Sequence, residues 1–362
     1  MRRPLWDTRL KQAILLMRDT RKDERVIKIL FVTSTRIGDT VMTMGLLSHL
    51  AEQYPNASFT VACGPLSVPL FRAFPNLEQV IPVWKRPYDL HWIELWMQCV
   101  TRHWDLVVDM RSSFLSWCLL AGHRRVYRNR HRQASLHKVE QYGLVLGLKE
   151  PPNPKIWTTA EDRERANELI PQGKPVLAFG PTTSWEGKQW PIPRYVELMQ
   201  RLIAPDGILP NARVAIFGTA KERKILQPII DAIPPGDFID IIGKGDLLTA
   251  AACLKRCNFF IANDTGLMHL AAAAGVPTLG LFGPSLKENY APWGKCTGVA
   301  ETVIPARELI RQIGHAPGTL MESLTVDAAV TAAAELWERC ACEQLKDSPH
   351  RPASPLRVVE GS

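Results

Sequence analysis

Four polar segments, each directly after an apolar run, carry the residue types that could perform chemistry in this chain. The first is "RIGDT" (36–40), which follows the run at 26–35. A carboxylate such as Asp39 could act as a general base if it reaches the group that it deprotonates and has a suitable pKa. The same position also favours a helix N-cap. The residues of this segment leave both interpretations open.

Hydroxyl groups and a lysine make up the second segment, "GPTTSWEGKQWP" (180–191). Hydroxyls and an ammonium group beside a strand end are suited to bind phosphate oxygens. The alternative is a solvated loop that packs over Trp190. The residues that would contact the phosphate are Thr182, Thr183, Ser184 and Lys188.

The third segment, "FGTAKERKIL" (217–226), places Gly218 before a helix that carries Glu222. A carboxylate just beyond a strand end can bind ribose hydroxyls, as it does in other nucleotide-binding folds. Glu222 could equally interact with the positive end of the helix dipole. The spacing alone does not decide between these two roles.

The fourth segment, "NDTGLMHLAAAAGVPTLGLFGPS" (263–285), predicts a strand end, a polar turn and a helix that ends at Gly275. The first N–H groups of a helix have no partner within it, so the turn at Thr265 and Gly266 predicts an anion site. His269 lies one turn into this helix. Its spacing alone predicts a core histidine that is hydrogen-bonded to a backbone carbonyl.

Strands and helices that alternate along the chain must position these four segments. The runs at 26–35, 57–64, 77–83 and 105–111 predict buried strands, and a second series follows a proline-containing stretch at 148–159. This alternation is typical of βαβ units and parallel sheets, in which ligands bind outside the carboxyl ends of the strands. We therefore predict an α/β fold with two doubly wound, Rossmann-like domains that face each other across a cleft.

The predicted domain boundaries follow the second series of strands. Residues 1–165 form the first domain, residues 166–345 the second, and residues 346–362 a tail that is rich in proline and serine and expected to be flexible. The strands predicted for the second domain are 174–184, 212–220, 238–244, 259–266 and 277–285.

Composition narrows the class of partner. The net charge is +8 and the sequence pI about 9.1, which favours nucleic acid, anionic lipid or a phosphorylated substrate. Helix-turn-helix, zinc-finger and RNP-type patterns do not occur, so nucleic acid is not expected. The eight cysteines form no Cys-x-x-Cys pair and no zinc spacing, so we expect no metal site.

The first 25 residues combine arginines and lysines with Leu5, Trp6 and Leu10. Their apolar run is too short for a signal peptide, and no run approaches the about 20 apolar residues of a membrane span. A helix of this composition could lie on an anionic membrane surface or pack on its own domain. Both alternatives stay open.

Taken together, the motifs resemble the lipopolysaccharide heptosyltransferases of glycosyltransferase family 9. The likeness rests on "RIGDTVMTMGLL" (36–47), "WDLVVDMRSSFLSWCLLAGHRRVY" (104–127), "HKVEQYGLVLGL" (137–148), "GPTTSWEGKQWP" (180–191) and the segment at 263–285. These motifs occur in the order of the family and at similar spacing. The resemblance therefore covers most of the chain.

This resemblance implies a GT-B fold and an inverting transfer of heptose from ADP-heptose to a phosphorylated lipopolysaccharide inner core. It implies a cytoplasmic enzyme, peripheral at the inner face of the cytoplasmic membrane, with an anionic membrane surface as a further candidate partner. Asp39 matches the proposed catalytic base, and Lys188 matches a lysine that contacts phosphate. Asp264 matches the residue that holds the donor sugar. The other matching positions at the donor are Thr265, Gly266 and His269.

Neither a metal nor a cofactor is expected for this reaction, since Lys188 and a helix N-terminus could stabilise the departing diphosphate. The resemblance also implies acceptor binding by the first domain through Arg36 and a basic strip, although a solvated charged strip is the alternative. A relative that transfers a different nucleotide-activated sugar to another cell-envelope glycan is the second functional hypothesis. A basic protein without catalysis is the third. The residues of the strip are Arg124, Arg125, Arg128, Arg130 and Arg132.

Overall fold

The computed structural model describes residues 26–314 and 318–347. The membrane hypothesis for residues 1–25 therefore lies outside the described residues. So does the expected flexibility of the tail from residue 348 onward, whereas residues 346 and 347 belong to the last helix.

The first sheet is parallel throughout, as the alternation of elements predicts. Its strand order is β3-β2-β1-β4-β5, so that the first strand lies in the centre. The central strand is an apolar run that is buried on both faces, as expected for a parallel sheet covered by helices. The five strands are Lys28–Val32 (β1), Ser58–Cys63 (β2), Leu77–Pro82 (β3), Trp104–Asp109 (β4) and Ala121–Val126 (β5).

The second sheet is also parallel, with the order β11-β10-β9-β6-β7-β8. Its central strands β6, β9 and β10 are buried along their whole length. The six strands are Val176–Gly180 (β6), Arg213–Ile216 (β7), Phe238–Asp240 (β8), Phe259–Asn263 (β9), Thr278–Phe282 (β10) and Thr297–Glu301 (β11).

Helices connect and cover these strands, and local sequence explains their ends. The helix at Gly266–Ala274 ends at Gly275, whose φ of 87° is a left-handed conformation that favours glycine. No described helix is both long enough and apolar enough to span a bilayer. The helices are Ile37–Gln53 (α1), His91–Cys99 (α2), Lys138–Gly143 (α3), Ala160–Leu169 (α4), Ile192–Ile203 (α5), Arg223–Asp231 (α6), Leu247–Leu254 (α7), Gly266–Ala274 (α8), Lys287–Tyr290 (α9), Ala306–Arg311 (α10) and Val326–Asp347 (α11).

Two strands were not expected from the sequence. Strand β5 has the sequence AGHRRV and lies at the edge of the first sheet, and strand β11 lies at the edge of the second. Both are only partly buried, so they lack the continuous apolar run by which a central parallel strand is recognised. The domain boundary between residues 165 and 166 stays a prediction, and it falls within α4.

The two halves of the molecule are in close contact. Helix α1 of the first half packs against α8 of the second, and one continuous apolar cluster includes residues from both. Arg72 forms ion pairs with Asp162 and Asp246 at 2.6 and 2.7 Å. The His137 ring stacks on Trp293, with ring centroids 4.7 Å apart. These contacts bring the carboxyl edges of the two sheets to the same cleft.

Candidate active site

Asp39 lies in the first turn of α1, at the carboxyl end of β1, and is half-buried. Its carboxylate accepts hydrogen bonds from the Tyr142 hydroxyl at 3.1 Å and from the Ser34 hydroxyl at 3.3 Å. The N-cap of this helix is Arg36, and no side chain caps it. Asp39 is therefore not the helix N-cap, which was one of the two roles that the sequence left open. Its carboxylate is directed elsewhere.

The Asp39 carboxylate lies in a cavity of about 510 Å³ at the carboxyl edge of the first sheet. This cavity is strongly cationic, because the lysines and arginines that line it outnumber its single acidic residue. Across the described residues, the ion pairs of the molecule do not include any of these cations. The cations that line the cavity are Arg36, Lys85, Arg111, Arg132 and Lys138.

A buried carboxylate positions Arg111. Asp109 accepts hydrogen bonds from the backbone N–H groups of Arg111 and Ser113 at 2.7 and 2.9 Å, and from the Ser113 hydroxyl at 2.6 Å. Burial raises the pKa of Asp109, and these hydrogen bonds oppose that rise. The Arg111 guanidinium donates to the Thr35 hydroxyl at 3.2 Å and lies 5.7 Å from the centre of the Trp92 ring. The turn after β4 is thus fixed so that Arg111 lines the cavity.

Tyrosines from both halves line the same cavity. Burial raises the pKa of Tyr142, and the neighbouring Asp39 carboxylate raises it further. Burial also raises the pKa of Tyr290 in α9, with additional contributions from the carboxylates of Asp39 and Asp264. Side chains from both halves of the molecule therefore line one cavity.

Lys188 and Asp264 form an ion pair in the second half, with 2.5 Å between the Lys188 ammonium and a carboxylate oxygen. The Asp264 side chain is 8% exposed and that of Lys188 is 29% exposed. The side chain of Asn263 connects the two segments that carry Lys188 and Asp264. It accepts from the backbone N–H of Trp190 at 3.2 Å and donates to the Pro181 carbonyl at 2.6 Å. The loop that carries Lys188 is therefore tied to the end of β9.

The N-terminus of α8 meets the N-terminus of α1 across the cleft. Thr265 is the N-cap of α8 and Gly266 is its first residue, so their N–H groups lie at the positive end of the helix. A Cβ atom on Gly266 would lie 2.8 Å from the Cβ of Ile37, and one on Gly38 would lie 2.9 Å from the His269 ring. Only glycine allows the two helix ends to approach this closely.

His269 is 5% exposed and lies between the two carboxylates. Its Nε2 is 3.9 Å from an Asp264 oxygen, and its Nδ1 has no hydrogen-bond partner among the described residues. The core histidine bonded to a carbonyl, which spacing predicted, is therefore not observed. Burial lowers the pKa of His269, whereas the carboxylates of Asp264 and Asp39 oppose this shift.

The remaining residues predicted at the donor lie at the same strand edge. Thr183 is engaged locally, because its hydroxyl donates to the Trp185 carbonyl at 2.6 Å, while Thr182 is half-buried and Ser184 is exposed. Glu222 accepts from the N–H and hydroxyl of Thr219 at 2.6 and 2.8 Å, which is a helix-capping arrangement. This is close to the role at the positive end of the helix that the sequence left open for Glu222. Gly218 lies beside it. Their roles toward a nucleotide stay predictions.

Of the residues predicted at the acceptor, Arg36 and Arg132 line the cavity, whereas the other arginines of the basic strip do not. The Arg124 guanidinium donates to the carbonyls of Ser116, Leu119 and Ala121 and so fixes the turn before β5. Arg128 lies 5.0 Å from the centre of the Trp117 ring. Arg125 donates to the Arg124 carbonyl at 3.4 Å, and Arg130 to the His131 ring at 3.1 Å. Acceptor binding by this strip stays a prediction.

Sequence reasoning missed Lys138 and Tyr142 in α3, Tyr290 in α9, and Arg111 in the turn after β4. "HKVEQYGLVLGL" was singled out by resemblance, but nothing in it distinguished Tyr142. The 26–314 and 318–347 ranges contain no group of three or more His, Cys, Asp or Glu side chains that could hold a metal ion.

Comparisons with known proteins agree with this geometry. Residues 92–307 match the family model for glycosyltransferase family 9 (heptosyltransferase), a range that includes Lys188 and Asp264 but not Asp39. Over 303 residues the chain is 25% identical to lipooligosaccharide heptosyltransferase 2 of Haemophilus influenzae, which covers 74% of this chain and 86% of that protein.

Solved structures show the same fold. A family 9 glycosyl transferase from Veillonella parvula has a TM-score of 0.73 at 21% identity, covering 88% of this chain and 99% of that one. The E. coli ADP-heptose LPS heptosyltransferase II has a TM-score of 0.66 at 21% identity, covering 87% and 100%. The predicted GT-B fold is confirmed. Since the family model matches more than half of the chain, this protein belongs to glycosyltransferase family 9 and is a glycosyltransferase.

Proposed function

We propose that this enzyme transfers a heptose from ADP-heptose to a phosphorylated lipopolysaccharide inner-core acceptor at the inner face of the cytoplasmic membrane. In this proposal the transfer inverts the anomeric centre and uses neither a metal nor a cofactor. The names of the matching proteins support the sugar and the acceptor class, since they include lipooligosaccharide and ADP-heptose LPS heptosyltransferases. The first half takes the acceptor and the second half takes the donor.

One observation carries the proposal. The Asp39 carboxylate lies in a cationic cavity that the second half closes with Tyr290, and the Lys188–Asp264 pair lies across the same cleft. A phosphorylated acceptor would satisfy the unpaired cations, and one of its hydroxyls would then lie near the only carboxylate among the lining residues. A hydroxyl next to a carboxylate is the arrangement that general-base catalysis requires.

The reaction that follows is a single displacement. The acceptor hydroxyl gives its proton to Asp39 as its oxygen attacks the anomeric carbon on the face opposite the diphosphate. The bond from that carbon to the diphosphate oxygen breaks, and ADP leaves with the electron pair. Attack from the opposite face inverts the anomeric configuration.

Residues around Asp39 and Lys188 prepare the two ends of this displacement. The hydroxyls of Tyr142 and Ser34 hold the Asp39 carboxylate in one orientation. On the donor side, Lys188 and the N–H groups at the start of α8 stabilise the charge that develops on ADP. Asp264 orients the Lys188 ammonium at 2.5 Å before the donor binds and then contacts the sugar.

Substitution of Asp39 by Asn tests the proposed base, since the amide keeps the shape but cannot accept the proton. We expect transfer from ADP-heptose to a phosphorylated core oligosaccharide to fall at least about 10³-fold. Stabilisation of the protein by ADP should be unchanged. The exposed Asp206→Asn variant is the control. Full transfer by Asp39→Asn would rule out this base.

A panel of ADP-, UDP- and GDP-linked sugars tests the donor. We expect turnover with ADP-heptose and a rise in the unfolding temperature with ADP. Turnover that occurred only with UDP- or GDP-sugars would reject the heptose assignment and favour the relative with a different sugar.

A further inference from the structure

The outer face of the first half exposes large apolar side chains that its core does not use. Helix α2 and the 3-10 turn Phe114–Trp117 pack on this face of the first sheet, where Leu95, Cys99, Leu115 and Leu119 are buried. Their other side chains point outward. The docking surface, as we define it, consists of Tyr88, Ile93, Met97, Phe114, Trp117 and Leu120, each 52–96% exposed.

The two segments that form the docking surface are joined. The Trp96 indole N–H of α2 donates to the Cys118 carbonyl at 3.1 Å, and α2 contacts the turn that carries Phe114. A surface helix of a soluble protein normally exposes a polar face, but α2 exposes Ile93 and Met97 opposite its buried side chains. An exposed apolar cluster of this kind usually marks a binding surface.

Backbone strain occurs in the same region. Tyr88 and Asp89 both have a φ of 56°, and the Tyr88 side chain is 96% exposed. Left-handed backbone is unfavourable for a bulky side chain, and such strain clusters at functional positions. The backbone of this loop thus adopts a conformation that Tyr88 does not favour, and it holds the Tyr88 ring in solvent.

The docking surface adjoins the catalytic cavity. Lys85 follows β3 and Ser112 follows β4, and both line the cavity. Tyr88 comes three residues after the first, and Phe114 two residues after the second. Arg111, which also lines the cavity, lies 5.7 Å from the Trp92 ring of α2. The apolar side chains and the mouth of the cavity therefore share one edge of the molecule.

Charge identifies the occupant of this surface. Residues 84–132 contain nine lysines and arginines but only four aspartates and glutamates, an excess of five out of the net charge of +8. Two acidic side chains, Asp89 and Glu94, lie among the exposed residues, and Glu94 is paired with Arg86 at 3.3 Å. Arg128 lies 5.0 Å from the centre of the exposed Trp117 ring, so a cation adjoins the apolar side chains, which matches an anionic lipid surface.

The same positive charge disfavours two other occupants of the docking surface, a second copy of the chain and residues 1–25. A symmetric dimer would bring this cationic surface against its own copy, and like charges oppose such an interface. Residues 1–25 also carry more basic than acidic side chains, eight against four, so they complement the surface poorly. An anionic bilayer complements both its charge and its aromatic side chains.

We propose that this docking surface binds the anionic phospholipid bilayer, with Tyr88, Phe114 and Leu120 in its interfacial layer. The catalytic cavity then opens toward the membrane. A glycolipid acceptor could present its sugars to Asp39 while its acyl chains stay in the bilayer, a consequence that rests on the proposed function. The docking itself does not depend on which sugar is transferred.

Vesicle sedimentation of the full-length protein tests the surface. The variant Tyr88→Ser/Phe114→Ser/Leu120→Ser removes three exposed apolar side chains, and Val303→Ser/Ile225→Ser/Ile313→Ser removes three from the second half as a matched control. On phosphatidylglycerol vesicles we expect at least tenfold weaker binding of the first variant and unchanged binding of the control. Wild-type binding should weaken with salt and be absent on phosphatidylcholine. Equal binding by both variants overturns the proposal.

Two exposed cysteines give a second readout of orientation. Cys118 directly follows Trp117 of the docking surface, whereas Cys342 lies in α11. A polarity-sensitive maleimide on Cys118, in a Cys342→Ser background, should shift its emission to the blue when anionic vesicles are added. The same label on Cys342, in a Cys118→Ser background, should not shift. A shift at Cys342 alone would place the membrane on another face and reject the proposal.

Transfer to a soluble, delipidated core oligosaccharide separates this proposal from the proposed function. The triple docking-surface variant should transfer to that acceptor at the wild-type rate. Retained vesicle binding by an inactive enzyme would reject the function and leave the docking intact. A dimer that this variant disrupts, without lipid binding by the wild type, would identify a second copy as the occupant and overturn the proposal.

Discussion

The two strand edges that face the cleft use charge in different ways. At the edge of the first sheet, five cations surround Asp39 without forming ion pairs to other described residues. At the edge of the second sheet, the charges are paired internally. Lys188 pairs with Asp264 at 2.5 Å, and Asp240 pairs with Arg223 and Lys244 at 2.6 and 3.3 Å.

This difference shows how each edge can bind an anion. The second edge presents backbone N–H groups at a helix N-terminus, which the fold itself holds in place and which need little side-chain charge. The first edge depends on long side chains, which adapt to an acceptor with several anionic groups. Substitutions at the second edge should therefore affect the chemical step, whereas substitutions of the cations at the first edge should affect acceptor binding.

Among the substitutions that distinguish the two edges, Lys188→Ala should have the largest effect. Loss of the ammonium group removes a charge that stabilises departing ADP, so kcat should fall about 10²–10³-fold. The KM for the acceptor should change little. Lys174→Ala is the control, because Lys174 pairs with Asp237 at the surface. A large rise in acceptor KM with unchanged kcat would contradict the division between the two edges.

His137 lies at the contact between the two halves of the molecule, and its substitution tests whether the neutral ring stabilises that contact. Its Nε2 bonds the Ala291 carbonyl at 2.9 Å, its Nδ1 accepts from the Val139 N–H, and burial lowers its pKa to about 4. In the unfolded chain the His137 ring is therefore protonated below about pH 6.5. In the folded protein the same ring is protonated only below about pH 4. The free energy of unfolding should fall by about 2–3 kcal/mol between pH 7 and pH 4.5 from this group.

In the His137→Gln variant that part of the pH dependence should disappear. Denaturant unfolding at several pH values, with the wild type as the reference, measures the difference. Contributions from other histidines are common to both proteins and cancel. If the free energy of unfolding of both proteins depended on pH in the same way, the neutral His137 ring would not stabilise the contact between the two halves.

Arg111→Ala should raise the KM for a phosphorylated acceptor about 10–100-fold, because a charge-assisted contact is lost. Donor binding and ADP stabilisation should be unchanged. Arg124→Ala is the matched control, since its guanidinium is occupied by three carbonyls, and it should lower stability without changing this KM. An equal rise in KM for both variants would restore the basic strip as an acceptor site.

The smallest expected effect comes from Gly266→Ala. The added Cβ would lie 2.8 Å from Ile37, so the edges must separate, and we expect kcat to fall about tenfold. Ile37→Gly, which removes the Cβ atom that the new methyl group would meet, should partly rescue this variant. Gly298→Ala is the control, because its nearest neighbour is a Leu336 methyl carbon at 3.3 Å. No rescue would mean that the contact between the two helix ends does not limit catalysis.

Local patterns were sufficient to predict most elements of the fold. Strand β1 lies within the predicted run at 26–35, and α8 ends at Gly275 as expected. Central strands are recognisable because they are continuous apolar runs. The edge strands β5 and β11 were missed, since half-exposed strands carry polar residues that also occur in loops.

For the site, strand-end positions favoured Asp39 and Lys188, because parallel sheets bind ligands there. Asp264 and His269 were assigned by the family resemblance, since spacing alone predicted a core histidine at position 269. The sequence did not show which side chains would join them. A basic run has the same appearance whether its guanidinium groups bind carbonyls, as Arg124 does, or line a cavity, as Arg132 does.

By itself, then, the sequence determined the alternation of strands and helices and the polar turns at the strand ends, since both are encoded by neighbouring residues. Only the tertiary structure decided that Tyr142, Tyr290 and Arg111 converge on Asp39, and that the ends of α1 and α8 meet through Gly38 and Gly266. These contacts join residues that are distant along the chain. Their partners are therefore set by how the two sheets pack together.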